Sequence, residues 1–279
     1  MSLRTTRRPV LLGSFAALAY AFLYLPIAVL IVYSFNRDGV GGFPPRHLTL
    51  AWYSTLFADS AMWDAVGNSA IVALAAVVLS MLIGFSAAYA LDRHQFPGKA
   101  LLQRLILLPL IVPGVITGIS LLLLVVAGGL HLSLTTVILG HATALTAVAT
   151  TEILAGLSKL DRGLEEASAD LGANAWQTLW RVTLPLLRTS LIGTALLVFT
   201  LSMDEIAVTF FLIGRENTLP LEIWSRLRRG ATPEMNAIST LIFAFSLVTI
   251  FFSQHLIAGE KSESKDAAIA EGVLTGAAK

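Results

Sequence analysis

Residues 165–187 read EEASADLGANAWQTLWRVTLPLL, a polar, amphipathic stretch set between two long apolar runs. The chain around it has 279 residues, 56% of them hydrophobic and only 13% charged, with a mean hydropathy of +0.76. A soluble domain needs more charge than that to cover its surface, so the composition marks an integral membrane protein. The quoted stretch is the part that stays in water.

Its pattern describes two short helices. In the first, Leu164, Ala167, Ser168 and Leu171 share one face while Glu165, Glu166 and Asp170 take the other, the spacing of a surface helix. Gly172 supplies the stop, because glycine accepts the left-handed conformation common just past a helix end. Asn174 then caps a second helix, with Gln177 three residues later in capping-box spacing. Trp176, Leu179, Trp180 and Thr183 line one side of it, and Pro185 is expected to end it, having no amide hydrogen and a ring that obstructs the preceding turn. The product is a compact helix-turn-helix knob.

The apolar runs on either side set the architecture. A bilayer core of about 30 Å needs roughly 20 apolar residues in a helix that satisfies its own backbone groups. Six stretches meet that length: 10–34, 66–91, 101–126, 134–157, 190–213 and 237–257. The first follows Arg4, Arg7 and Arg8 but is too long for a signal peptide and lacks a cleavage site, so it reads as a retained span. With the N-terminus inside, most Lys and Arg fall in inside segments, and only Arg37, Arg46, Arg215, Arg226, Arg228 and Arg229 fall outside. The positive-inside rule therefore places the knob and both termini in the cytoplasm. The expected fold class is an all-α membrane protein of six transmembrane helices with a cytoplasmic helix-turn-helix loop. Residues 1–9 form an N-terminal tail, 10–258 the membrane domain with the loop at 158–189, and 259–279 a disordered tail.

Several details follow. LAWYSTLF (50–57) predicts a short helix in the first external loop, and LEIWSRL (221–227) another, with Leu221, Trp224 and Leu227 along one stripe. Pro109 and Pro113, with Gly114 and Gly118, predict a kinked third span whose neighbours approach closely. Asn68 reads as a helix cap at the outer start of the second span, and Glu152 as an acid reaching interfacial water. No repeat relates the two halves, which argues against duplicated carrier folds.

Other chemistries are excluded. With no cysteine there is no disulfide, thiolate metal site or Cys nucleophile, and the five His show no metal-ligand spacing. The near-zero net charge leaves no nucleic-acid footprint. No P-loop is present, and no Ser, His and Asp constellation points to an enzyme.

Residues 166–185, EASADLGANAWQTLWRVTLP, resemble the EAA loop of ATP-binding cassette (ABC) importer permeases of type I, patterned Glu-Ala-Ala, three residues, Gly, nine residues, Ile, one residue, Leu-Pro. Glu166, Ala167, Gly172, Leu184 and Pro185 match in register; Ser168 and Val182 stand at the second Ala and the Ile. YLPIAVLIVYSFN, FTLSMDEIAVTFFLIG, LPLEIWS and PEMNAISTLI are similar to the second permease subunit of spermidine and putrescine importers. The resemblance implies that the loop seats in a cytoplasmic ATPase dimer, with Glu165, Glu166, Ala167, Asp170, Leu171, Gly172, Ala173, Leu184 and Pro185 at the coupling surface. It implies a second permease subunit and an extracytoplasmic substrate-binding protein, in the inner membrane of a bacterial cell. This chain would bind no cofactor, ATP being hydrolysed by the partner. Amino-acid derivatives remain an alternative cargo. A stand-alone ion-coupled carrier would account for the spans but leave the knob unexplained.

Two acids give an independent handle on cargo. Asp204 and Glu205 fall inside the fifth expected span, where an ionised side chain costs about 2.5 to 3.5 kcal/mol on insertion scales. At about 1.5 Å per residue from Ser190, Asp204 lies roughly 20 Å along, past the midplane toward the outside. A carboxylate there can receive a protonated amine. The two side chains sit about 100° apart around a helix, so they are not expected to share one role, and Asp204 is the preferred ligand.

Overall fold

A computed structural model of the chain describes residues 7–38, 44–45, 47–230 and 232–248. Among them the only β-structure is one isolated bridge, Asn36 to Leu48, and helices make up most of the rest. Residues 1–6 of the predicted N-terminal tail (1–9), the whole predicted tail at 259–279 and the end of the sixth expected span lie outside the described residues, while residues 7–9 belong to the first helix. The chain divides into two compact units, residues 1–59 with 226–279, and Ser60–Ser225.

The first unit holds α1 (Arg7–Ser34), α2 (Ala51–Ala58) and α12 (Pro233–Val248). The chain after α1 folds back on itself. Arg37 N donates to His47 O (2.9 Å), Thr49 N to Phe35 O (2.7 Å), and the Trp52 indole to Asn36 O (2.8 Å). The expected short helix in this loop is α2. Asp59 and Arg226 are ion-paired.

The second unit is built on α3 (Ser60–Arg93) and α6 (Leu134–Leu157). Buried residues of α3 include Ala65, Ser69, Ala73, Ala76, Ser80, Gly84 and Ala88, a row of small side chains at three- or four-residue spacing. Lipid tails are as apolar as leucine, so helices in a bilayer associate through close packing, which small residues permit. A Cβ on Gly84 would stand 2.7 Å from Ala149 Cβ, and Ser80 Oγ donates to Ala142 O (3.3 Å). Leu145, Ala149 and Val198 form one buried cluster, and Ala88, Ile153, Leu157 and Leu187 another.

Among the described residues four helices are long and apolar enough to cross a membrane, or five spans if one bent pair counts as one. The departures from the six expected spans have physical causes. The expected third span is α4 (Lys99–Ile111) and α5 (Gly114–Ala127), bent 109° at Val112 and Pro113. Pro109 sits inside α4 without stopping it, whereas Pro113 pushes Val112 out of the helical region to ψ 128°. Gly118 does allow a close approach, since its Cβ would lie 2.7 Å from the Phe211 ring. Asn68 is a mid-helix residue rather than a cap, because α3 starts at Ser60; its amide donates to Asn217 O (3.0 Å).

The expected fifth span is also redrawn. One apolar helix runs from Ala175 to Met203, through α8 (Ala175–Thr178), a π-helical turn (Leu179–Thr183) and α9 (Leu184–Met203). Pro185 therefore does not end the helix. The wider π turn, in which Leu184 N donates to Leu179 O, gives the proline ring room that an α-turn would deny it. The helix stops instead at Met203, and after residues 204–206 the chain resumes as α10 (Ala207–Leu212). Helix α11 (Leu219–Arg229) follows as expected, but Leu221 is buried beside Leu219 while Trp224 and Leu227 are exposed.

Candidate functional site

The knob is α7 (Arg162–Asp170) followed by α8. Asp161 Oδ1 caps the first helix by accepting from Gly163 N (2.9 Å). Its end is a Schellman motif: Gly172 adopts φ +85°, with Gly172 N donating to Ala169 O (2.8 Å) and Ala173 N to Ser168 O (3.1 Å). The capping box reads as expected, Asn174 Oδ1 accepting from Gln177 N and Gln177 Oε1 from Asn174 N, both at 2.9 Å. The Ser168 and Thr178 hydroxyls, 3.1 Å apart, tie the helices together.

The knob's faces match its pattern only in part: Glu166 and Asp170 are exposed, as expected, but Glu165 turns inward. Glu165, expected in solvent, accepts from the Thr183 hydroxyl (2.7 Å) and from Arg93 Nη2 (3.0 Å), with Arg93 Nε 2.9 Å from its other oxygen. The apolar stripe lies open instead. Leu171 is 89% exposed, and Leu164, Leu171, Val182, Pro185 and Leu186 line a hollow of about 540 Å³ together with Arg181. Trp176 and Trp180 are exposed as an edge-to-face pair with centroids 5.5 Å apart, while Thr183, the last residue of the π turn, is buried. An apolar, exposed tip on a pinned helix pair has the form of a surface awaiting a partner. Glu166, Ala167, Asp170, Gly172 and Pro185 are exposed with Leu171; Ala173 and Leu184 are half-buried.

The second site is the break at 204–206. Neither acid lies inside a helix. Asp204 is the residue after α9, is exposed, and its carboxylate has no hydrogen-bond or ion-pair partner among the described residues. Glu205 is occupied: Oε1 accepts from Val208 N (2.8 Å) at the start of α10, and lies 3.9 Å from where a Cβ on Gly114 would stand in the first turn of α5. Its charge thus satisfies one freed amide and faces the electropositive end of α5. The two acids differ in setting: Glu205 accepts from the first turn of α10, and Asp204 is open at the electronegative end of α9.

His141 spans the break, a residue that spacing rules could not single out. It is 1% exposed, with Nδ1 2.8 Å from Ser202 Oγ and Nε2 2.8 Å from Thr209 Oγ1. The Thr209 hydroxyl donates to Glu205 O (2.9 Å), so its oxygen accepts from Nε2–H, and in a neutral ring Nδ1 accepts from Ser202. The chain of bonds ends on a carbonyl in the break. A lone His in an apolar span was the one available signal.

Residues 80–259 match the family described as binding-protein-dependent transport system inner membrane component. The chain is 37% identical over 262 residues to the putrescine transport system permease protein PotI of Escherichia coli (strain K12), covering 89% of this chain and 92% of that protein. It is 34% identical over 255 residues to the spermidine/putrescine transport system permease protein PotC of the same strain, covering 91% and 96%. A solved bacterial ABC transporter involved in the import of the acidic polysaccharide alginate shares the fold at 17% identity, with a TM-score of 0.68 over 92% of this chain and 98% of that chain.

Proposed function

The chain belongs to the family of binding-protein-dependent transport system inner membrane components, and from that membership we propose that it is a permease subunit of an ATP-driven polyamine importer. It is a transport component of the membrane rather than an enzyme. Putrescine and spermidine are the cargo class that its relatives' names support.

The observation that carries the substrate class is Asp204. A protonated amine leaving water needs an anion that is not already paired, and Asp204 offers one at the end of α9, where freed carbonyls add negative potential. Discontinuous helices whose C-terminal ends meet a cation are a recurring way of holding charge at membrane depth. Glu205 keeps α5 and α10 in place around the gap.

Energy enters at the knob, which faces the cytoplasm together with both termini, in a bacterial inner membrane. Glu166, Ala167, Asp170, Leu171, Gly172, Ala173, Leu184 and Pro185 seat in one subunit of a dimeric ABC ATPase that hydrolyses the ATP, so that this chain holds no cofactor. A second permease subunit completes the pathway, an extracytoplasmic binding protein delivers the amine, and nucleic acid has no part. The test is reconstitution of all four components in proteoliposomes. Labelled putrescine should accumulate only with internal ATP and binding protein; accumulation by the chain without the ATPase would overturn the reading.

A further inference from the structure

Glu165 directly precedes the EAA motif and does not face outward with it. Its carboxylate accepts a hydrogen bond on Oε1 from Nη2 of Arg93, the last residue of α3, has Arg93 Nε 2.9 Å from Oε2 as an ion-pair contact, and accepts a second hydrogen bond from Thr183 on the π turn. The side chains of Arg93 and Glu165 are only 10% and 19% exposed. Arg93 is itself paired with Asp92, and Arg162, the first residue of α7, donates to Asp92 O (3.2 Å). The first helix of the knob is therefore fastened to the inner end of α3 at Glu165 and Arg162, and the π turn is tied to that helix through Thr183. A planar guanidinium with one hydrogen bond and a second nitrogen close to the same carboxylate, the pair being largely buried, constrains the approach more than a flexible ammonium would.

The other end of α3 is also fastened. At 34 residues it is about 50 Å long. Near its start Asn68 donates to Asn217 O (3.0 Å), in the segment before α11, and Ser69 Oγ accepts from the N–H of Leu219 (2.8 Å), the first residue of α11. Residues 72 to 150 positions apart in sequence are thus joined at the two ends of one rod.

We propose that Arg93 is a positioning residue for transport: its ion pair with Glu165 is the joint through which displacement of the knob drives α3, and through α3 the segment 217–219 on the opposite side. This rests on the coupling role proposed above for the knob. It gives Glu165 a different part from the exposed motif residues, gripping this chain rather than the ATPase.

The test uses the complete four-component transporter in proteoliposomes, reading ATPase co-purification, ATP hydrolysis and putrescine uptake. R93Q and E165Q should keep the ATPase bound and hydrolysing, while the ATP consumed per putrescine imported rises about tenfold. The swapped pair R93E/E165R should recover most of the coupling, and R93K, which keeps charge but loses the fork, should fall between. Should R93Q not accumulate, Thr183→Val removes one contact at constant volume and should raise the ratio about twofold. Unchanged coupling in R93Q and E165Q, or loss of the ATPase from E165Q, overturns the proposal. Leu171→Asp separates the two levels. If it leaves the ATPase bound and transport intact, the coupling role of the knob fails; if it releases the ATPase while R93Q stays coupled, only the joint fails.

Discussion

His141 and Ser202 are hydrogen-bonded at 2.8 Å across two helices, and the same imidazole holds Thr209 beyond the break that Ser202 precedes. A helix interrupted in the bilayer leaves amides and carbonyls that water cannot reach, and each must find a partner. The Thr209 hydroxyl takes Glu205 O, the Glu205 carboxylate takes Val208 N, and His141 fixes both hydroxyl-bearing ends. H141L should therefore cost about 1 to 3 kcal/mol in reversible unfolding in mixed micelles, because the buried Ser202 hydroxyl loses its imidazole partner and the Thr209 hydroxyl, though still bonded to Glu205 O, loses one of its two bonds. H141Q, which can bond one of them, should cost less. Equal stability of H141L and the parent would show that the break holds itself.

The two neighbouring acids should separate cleanly. D204N should leave protein level and unfolding unchanged and lower putrescine uptake about tenfold or more, since an amide cannot neutralise an ammonium. E205A should do the opposite first: it removes the acceptor for Val208 N and should destabilise the protein by about 1 kcal/mol, within the range for lost helix caps. E205Q, whose amide oxygen still accepts, should lie close to the parent in stability. Uptake at several putrescine concentrations alongside unfolding distinguishes these outcomes, and loss of stability in D204N without loss of uptake would reverse the assignment.

Gly172 should be irreplaceable for a backbone reason alone. Its φ of +85° is required by the Schellman turn, and no atom lies within 4 Å of where a Cβ would stand. G172A should thus cost about 1 to 2 kcal/mol of local stability with no clash, and G172V more, since branching at Cβ disfavours the left-handed region further. The expected readout is weaker ATPase co-purification, graded Gly above Ala above Val. A flat series would mean that the turn can re-form without the left-handed residue.

The same contrast explains which features could be read from sequence. Gly172, Asn174 with Gln177, and the bounds of α6 are local signals, written in residues that cap or periodically line one helix, and the structure keeps them. What escaped was non-local. Hydropathy sums over 190–213 in the same way whether or not the helix is broken, so the gap at 204–206 left no trace in it, whereas Pro113 did announce the kink in 101–126, though not its size of 109°. The outward turn of Leu171 and the inward turn of Glu165 depend on Arg93, 72 residues away, and the tolerance of Pro185 depends on a π turn that adds no distinctive residue. The resemblance of the knob identified the family; only the packing divided its residues between anchor and tip.

The row of small residues on α3 yields a last test with an internal control. A Cβ on Gly84 would meet Ala149 Cβ at 2.7 Å and Thr150 N at 3.0 Å, and the second of these is backbone that no side-chain rotation can move aside. G84A should force α3 and α6 apart and cost about 1 to 3 kcal/mol, the usual range for overpacking a tight core. Gly193 in α9 is exposed and has nothing within 4 Å of its Cβ position. G193A should therefore be neutral or stabilising by up to about 1 kcal/mol, because alanine is the better helix former and meets no obstacle. Since α3 is also the rod that ends in Arg93, G84A should weaken uptake in parallel with stability, whereas G193A should leave it intact. If the two alanines proved equivalent in unfolding experiments, the close contact of α3 with α6 would not be what holds this half of the molecule together.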